Sequence, residues 1–320
     1  MRKPPTPNRD APRPVTGVNF SRMPVVAPII TSRGNQRVKQ LRAVLSQPPA
    51  LRPLTSLKPS ATDHRGAVGG TLIGIEGEHL LDEALRSGLR VETVFLHETR
   101  ETPGELPGNV EVLRLSEEVF RSASATQSPQ GIAALVEAPP SSLAMVLGQD
   151  GSITPRIAPL LLILDALQDP GNLGTLVRSA EAFGATGLLL LPGSTSPWNG
   201  KALRASAGSA FRLPIVACTI AVMRELASEG VHLLAAVGQA DGASSPDLLD
   251  LTRPTALLIG NEGAGLSREL LALSHACVTL PCTGPVESLN AAVAGSLLLF
   301  VAQQQRSRAD SQPQLIGTGV

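Results

Sequence analysis

Six short runs of Leu, Val and Ile are each set off by Gly or Pro: Leu160–Leu164, Gly187–Leu191, Pro214–Ala217, Val231–Val237, Ala256–Ile259 and Val278–Leu280. Helical stretches lie between several of them, at Thr175–Phe183, Ile220–Glu229 and Ser267–Leu273. Strands that are apolar on both faces and alternate with helices imply a parallel sheet covered on both sides. A last helix, from Ser288 to about Gln305, is apolar nearly all round from Ala291 to Ala302 and should be buried, in part against another subunit.

The first half is organised differently. Residues 1–27, with Pro4, Pro5, Pro7, Pro12 and Pro14, read as a basic, Pro-rich flexible arm. Thr31 and Ser32 then precede Asn35, and Val38, Leu41, Val44 and Leu45 recur at helical spacing, which predicts an amphipathic helix with Arg37, Lys39 and Arg42 on its polar face. After Pro48, Pro49, Pro53 and Pro59 a strand resumes at Gly69–Ile75. Glu76–Ser87 is helical in pattern and ended by Gly88. Val91–Leu96, Val110–Leu113 and Gly131–Val136 are strand-like, and Ser116 caps a short helix. The pattern predicts a smaller α/β domain over 28–138, a linker over 139–159, the larger α/β domain over 160–306 and a flexible tail over 307–320.

The charge is balanced overall but unevenly placed. Residues 1–60 hold eleven basic side chains against the single acid Asp10, a net +10 beside −10 for the remainder. An N-terminal arm of that kind fits a polyanionic partner, because each neutralised phosphate releases condensed counterions. Aromatic residues make up 2% of the chain, with no Tyr, so bound RNA would be held by Arg and backbone rather than by stacking. The run Ala291–Ala302 is shorter than the roughly 20 residues that span a bilayer, and the N-terminus lacks an apolar signal core. The expectation is a cytoplasmic protein with no membrane partner. Cys218, Cys277 and Cys282 form no CxxC pair and the five His are scattered, so no metal is expected.

Three loops follow predicted strands, where open α/β sheets place their ligands. They are Asp169–Gly174, Gly260–Gly265 and Leu280–Asn290, and glycine in each lets backbone approach a ligand closely. Gly260-x-x-Gly263-x-Gly265 has the wrong spacing for a dinucleotide turn, which removes the expectation of a nicotinamide oxidoreductase. No Gly-x-Ser-x-Gly or His-Glu-x-x-His occurs, so the hydrolase elbow and the zinc hydrolase site are also missing.

In order, Leu164–Gly184, Leu258–Leu266 and Leu280–Ala294 resemble motifs one, two and three of the SpoU family of RNA ribose 2′-O-methyltransferases, in the SPOUT superfamily. Lys201–Ser209 is similar to the segment that connects them. Ile30–Asn35 with Lys39, Gly74–Gly77 and Ser128–Gly131 resemble the substrate-binding domain that many members carry, itself similar to small RNA-binding ribosomal proteins. The resemblance implies a SPOUT-type parallel sheet with a deep trefoil knot, a homodimer, and S-adenosylmethionine held by the backbone of Gly260, Leu280 and Leu289. It places Asn172, Arg178, Glu262, Ser288 and Asn290 in the active site. Cys282 stands where relatives usually carry Met, with no functional consequence expected.

These residue types suit the reaction implied. Methyl transfer to a ribose 2′-OH needs no metal, but the hydroxyl must be oriented and its developing charge stabilised. Arg178 suits anchoring and charge stabilisation, because a guanidinium is a strong donor and a poor base. Glu262 and Asn290 are expected to fix loop geometry and substrate. The implied substrate is structured RNA, ribosomal in preference to transfer RNA. The rival is a noncatalytic RNA-binding or ribosome-assembly factor on the same scaffold, which has no need of the five polar residues.

Overall fold

Asn35 begins the first helix of the chain by accepting the backbone N–H groups of Arg37 and Val38 on its side-chain oxygen. The computed structural model describes residues 28–57, 70–104, 106–149, 158–239, 242–286 and 288–311, so the expected arm over 1–27 and the tail from 312 lie outside the described residues. Helix α1 (Gln36–Ser46) buries Val38, Leu41 and Leu45. It packs on a sheet of β1 (Ile29–Ile30), β2 (Leu72–Glu76), β3 (Val91–His97), β4 (Glu111–Leu115) and β5 (Ile132–Glu137), in the order β1-β4-β3-β5-β2. Strand β5 runs antiparallel to both neighbours, and the other pairs are parallel. Helix α3 (Glu117–Ala123) shares the face of α1, and α2 (Glu78–Arg86) covers the opposite face with Leu80, Leu81 and Ala84. Part of the basic face of α1 is spent internally: Arg37 pairs with Glu92 and Glu111, and Arg42 donates to Ser122.

The second sheet is wholly parallel. It holds β6 (Leu160–Leu164), β7 (Gly187–Leu190), β8 (Ile215–Ala217), β9 (His232–Ala236), β10 (Thr255–Ile259) and β11 (Ala276–Val278), in the order β11-β9-β10-β6-β7-β8. Along β6 the side chains divide between two cores. Leu160, Leu162 and Leu164 pack with α5 (Pro170–Ala182), α6 (Gly200–Ser206) and α9 (Ala291–Ser311). Leu161 and Ile163 pack with α7 (Ile220–Ser228) and α8 (Arg268–Leu273). Both faces are therefore covered, as near-continuous apolar strands require. The chain leaves β6 toward β7 on one side and meets β10 on the other, so the loops after β6 and β10 open onto a switch point of strand order.

Several boundaries differ from those expected. Helix α5 starts at Pro170, five residues early, because Asp169 accepts from the N–H groups of Gly171 and Asn172 and Pro170 sits at a position that needs no donor. Asn172 thus stands on a helical turn rather than in a loop. Strand β11 ends at Val278, where the sixth run was expected to begin, and its pairing with β9 sets that limit. The expected linker contains α4 (Leu143–Val146), capped by Ser142 and packed so tightly on Gly187 that a Cβ there would meet Val146 at 2.7 Å. Helix α9 starts three residues late, since Asn290 caps it, and continues through residues 307–311 of the expected flexible tail. Its end is held by Arg306, which donates to the carbonyls of Ala158, Pro159, Leu251 and Arg253.

The two sheets are joined by side chains and backbone. Leu54 pairs with Cys218 as an extra rung beyond β8 and so covers an open sheet edge. Arg212 takes Glu181 in a two-pronged contact (2.6 and 3.1 Å) and reaches across to Glu83 (2.7 Å) and Ser87 (3.3 Å) on the α2 side. The Arg212 hydrogen bond holds the Glu83 carboxyl below the usual 4.5. Burial pushes Glu181 up, but the same guanidinium outweighs it, so Glu181 is lowered too. Arg212→Ala is expected to lower stability by about 1–2 kcal/mol in urea unfolding near neutral pH, discounted for partial exposure. Depressed carboxyls contribute stability above about pH 4.5 and lose it as pH falls through their folded values, so the wild-type advantage should vanish in acid.

Candidate active site

The cluster at the switch point is built on one carboxylate. Glu262, on the loop after β10, accepts through Oε1 from the Asp169 N–H (3.1 Å) and from Asn172 Nδ2 (3.0 Å), and through Oε2 from the Gln168 N–H (3.3 Å). Burial pushes its carboxyl up, yet the Asn172 amide and the backbone donors hold it below the ordinary value. Asn290 Nδ2 donates to Asn172 Oδ1 (3.1 Å), while Asn290 Oδ1 caps α9 at the Ala292 and Val293 N–H groups. One chain of hydrogen bonds thus joins all three expected loops. Asp169 is fixed by Lys201 Nζ (2.9 and 3.2 Å), which with the Asn172 and Gly171 N–H groups lowers its pKa. Both carboxylates are ionised and surrounded by donors, a poor arrangement for taking up a proton.

The loop after β10 is fixed by its own backbone. Asn261 and Gly265 exchange hydrogen bonds at 3.0 Å, and Asn261 Oδ1 accepts from the N–H groups of Gly263 and Ala264. Asn261 Nδ2 also donates to the carbonyl of Ala166, which holds a left-handed φ of 52°. A non-Gly residue in that region is strained, and the bond to Asn261 helps to hold it there. Gly260 has no room for a side chain: a Cβ would lie 2.2 Å from Gly265 C and 2.4 Å from Leu266 N.

Beside this cluster the ends of β9, β10 and β11 enclose a cavity of about 450 Å³, lined by Gly260, Leu280, Ser288, Leu289 and Asn290 among others. The volume falls within the usual range for a small-molecule site, with Ile259, Leu280 and Leu289 as apolar walls and loop backbone for polar contacts. The structure therefore brings seven of the eight expected residues together. Arg178 is the exception. It continues the α5 row of Gly171 and Gly174, which faces α6, and its exposed side chain has no hydrogen bond or ion pair among the described residues.

Sequence reasoning missed a fourth loop. Gly238 and Gln239 after β9 line the cavity, and Gln239 Nε2 donates to the carbonyl of Cys282 (2.8 Å). Its only local signal was a Gly directly after a strand. Cys282 also lines the cavity, with its Sγ 3.6 Å from the Leu280 carbonyl. No group of three or more His, Cys, Asp or Glu able to hold a metal occurs among the described residues, and no described helix is long and apolar enough to cross a membrane.

Residues 159–300 match the SpoU rRNA methylase family, and residues 68–134 match the MRM3-like substrate binding domain. The chain is 36% identical over 227 residues to the 23S rRNA (guanosine(2553)-2′-O)-methyltransferase RlmP of Bacillus subtilis (strain 168), covering 71% of this chain and 86% of that one. It is 32% identical over 290 residues to an uncharacterised tRNA/rRNA methyltransferase of Synechocystis sp., covering 88% of this chain and 96% of the relative. Among solved structures, the SpoU methyltransferase AviRb of Streptomyces viridochromogenes in complex with AdoMet superposes with a TM-score of 0.66 at 27% identity, over 85% of this chain and 98% of that chain.

Gly260→Ala should cost roughly 3 kcal/mol or more in urea unfolding, because the loop backbone itself blocks the methyl group. Gly263→Ala, whose Cβ would meet only Asn261 Oδ1 at 3.7 Å, should stay within about 0.5 kcal/mol of wild type.

Proposed function

The chain belongs to the SpoU rRNA methylase family, and we propose on that basis that it transfers the methyl group of S-adenosylmethionine to a ribose 2′-OH of ribosomal RNA. The observation that carries this reading is the strand-end cavity walled by Gly260, Leu280 and Leu289, set directly beside the Asn172–Glu262–Asn290 chain. Bound in that cavity, the sulfonium supplies an activated methyl group and its own leaving group. Close backbone approach at Gly260 and the apolar side chains of Leu280 and Leu289 would hold it. Glu262 ties the loop after β10 to the first turn of α5, and Asn290 extends that tie to the third loop, so substrate meets a preorganised wall.

Arg178 is assigned the substrate phosphate or the developing 2′-oxyanion. Its free, solvent-facing guanidinium suits a group that gains its partner only when RNA arrives. Ser288, exposed at the cavity wall, is assigned to substrate contact. A homodimer and a deep trefoil knot belong to the same reading, as does a cytoplasmic location beside the ribosomes. Helix α9 supports the dimer, since Val293, Leu297 and Phe300 are 48%, 42% and 44% exposed at the i, i+4 and i+7 positions of one apolar stripe.

Mapping 2′-O-methyl groups on ribosomal and transfer RNA with and without the protein tests the activity, and an unchanged map would overturn it. Arg178→Ala is expected to lose methyl transfer by about two orders of magnitude or more with cofactor affinity unchanged, and Arg178→Lys to recover little. Leu289→Arg should abolish cofactor binding itself, read by titration with S-adenosylmethionine. Leu297→Glu should convert a dimer in sedimentation to a monomer, since it sets a charge in the middle of the apolar stripe.

A further inference from the structure

The third loop of the site, residues 280–289, supplies Leu280, Cys282, Ser288 and Leu289 to the wall of the strand-end cavity, yet it is sparsely held. Just before it, Thr279 donates its N–H to the Ser244 carbonyl and its hydroxyl to the Gly238 carbonyl, both at 3.0 Å. Just after it, Asn290 joins Asn172 and caps α9. Between those points Pro281 and Pro285 have no N–H to give, residues 283–286 are exposed, and even the apolar Val286 is left half out of the core. Among the described residues, one hydrogen bond reaches this stretch from outside it: Gln239 Nε2 donates to the Cys282 carbonyl at 2.8 Å. The contact of Cys282 Sγ with the Leu280 carbonyl stays within the loop.

Gln239 itself stands on a fixed base. It follows β9 directly, where the Val237 N–H donates to the Val278 carbonyl and the Gly238 carbonyl takes the Thr279 hydroxyl. Its amide therefore joins an anchored strand end to a loosely held span of the cavity wall. A wall that is free to move must be ordered when a ligand arrives, and that entropy is lost from the affinity. A bond that orders the wall beforehand tightens binding by the same amount. Because Gln239 is exposed and the loop is packed against little, the bond acts on the local ensemble of the loop far more than on global stability.

We propose that Gln239 is a positioning residue for the cofactor: through the Cys282 carbonyl it holds the third loop in the form that receives S-adenosylmethionine, acting on that wall rather than on the reacting atoms. The proposal rests on the methyltransferase reading and adds to its machinery a residue that lies outside the three motif loops.

The test is titration of the full-length protein with S-adenosylhomocysteine, whose uncharged sulfur keeps the charge of a substituted side chain out of the comparison. Gln239→Met, of similar length and without a donor, should weaken binding about three- to tenfold, the worth of one such hydrogen bond. Gln239→Asn, too short to reach Cys282, should match it, and Gln239→Lys, which keeps a donor on a long stem, should recover most of the loss. The thermal midpoint of the cofactor-free protein should stay as in wild type. With ribosomal RNA as substrate, Gln239→Met should raise KM for S-adenosylmethionine while kcat at saturation and KM for RNA are kept. Alkylation of Cys282 by iodoacetamide, read by peptide mass without any cofactor, should be faster in Gln239→Met because the loop is released. Unchanged affinity in both Gln239→Met and Gln239→Asn, a loss that Gln239→Lys fails to recover, or an alkylation rate equal to wild type overturns the proposal. A wild-type protein that binds neither S-adenosylmethionine nor S-adenosylhomocysteine would instead count against the parent reading, and the alkylation rates would still decide whether the Gln239 bond holds the loop.

Discussion

Strands β6 and β10 lie side by side in parallel, Leu160 against Thr255 through Leu164 against Ile259, although 95 residues separate the partners in the chain. That pairing brings the loop after β6 and the loop after β10 to the same point, and the site depends on it. Once they are adjacent, a single carboxylate reaches the start of α5: Glu262 takes two backbone N–H groups and the Asn172 amide. Asn172 in turn positions Asn290, and Asn290 caps the helix that closes the cavity. Slippage of the β6–β10 register would separate every member of this chain at once, so the register carries functional as well as structural information.

The cost of such closeness appears in the backbone. Gly260 tolerates no side chain because the turn it enters folds back on it, and Ala166 is held in a left-handed conformation at the opposing loop. Helix α5 meets its neighbours on the same terms: Gly174 would drive a Cβ to 2.3 Å from the Ala202 carbonyl, and Gly295 on α9 faces Leu176. Small residues at these points let helices approach the sheet and each other closely, which leaves the loop ends little freedom to drift. A site that works by positioning benefits from that rigidity.

Much of this was legible because it is local. Apolar runs with Gly or Pro at their ends named the six strands of the second sheet, and motif resemblance picked out Asn172, Glu262, Asn290 and the cavity residues. What periodicity could not reveal depends on partners distant in the chain. The glycines at 171 and 174 obscured a helix start that the Asp169–Pro170 pair signals, since Gly is a poor helix former unless packing demands it. Helix α6 carries no apolar stripe by which periodicity could mark it, since only Ala202, Leu203 and Ser206 are buried. The role of Arg212 exists only because Glu83 and Glu181 are folded onto it, and the distance of Arg178 from the Glu262 cluster follows from a helix face that spacing alone does not orient.

Arg306 ties together parts of the chain that are made at very different times. Its guanidinium is buried enough to lower its pKa, and it satisfies carbonyls just before β6 and around the turn into β10. During synthesis those carbonyls leave the ribosome long before their donor does. The parallel sheet can begin to assemble, but its central strands lack this clasp until almost the whole domain has been translated. Synthesis of α9 and locking of the parallel sheet are thereby coupled through one side chain, which postpones the finished site until the helix that walls it is present.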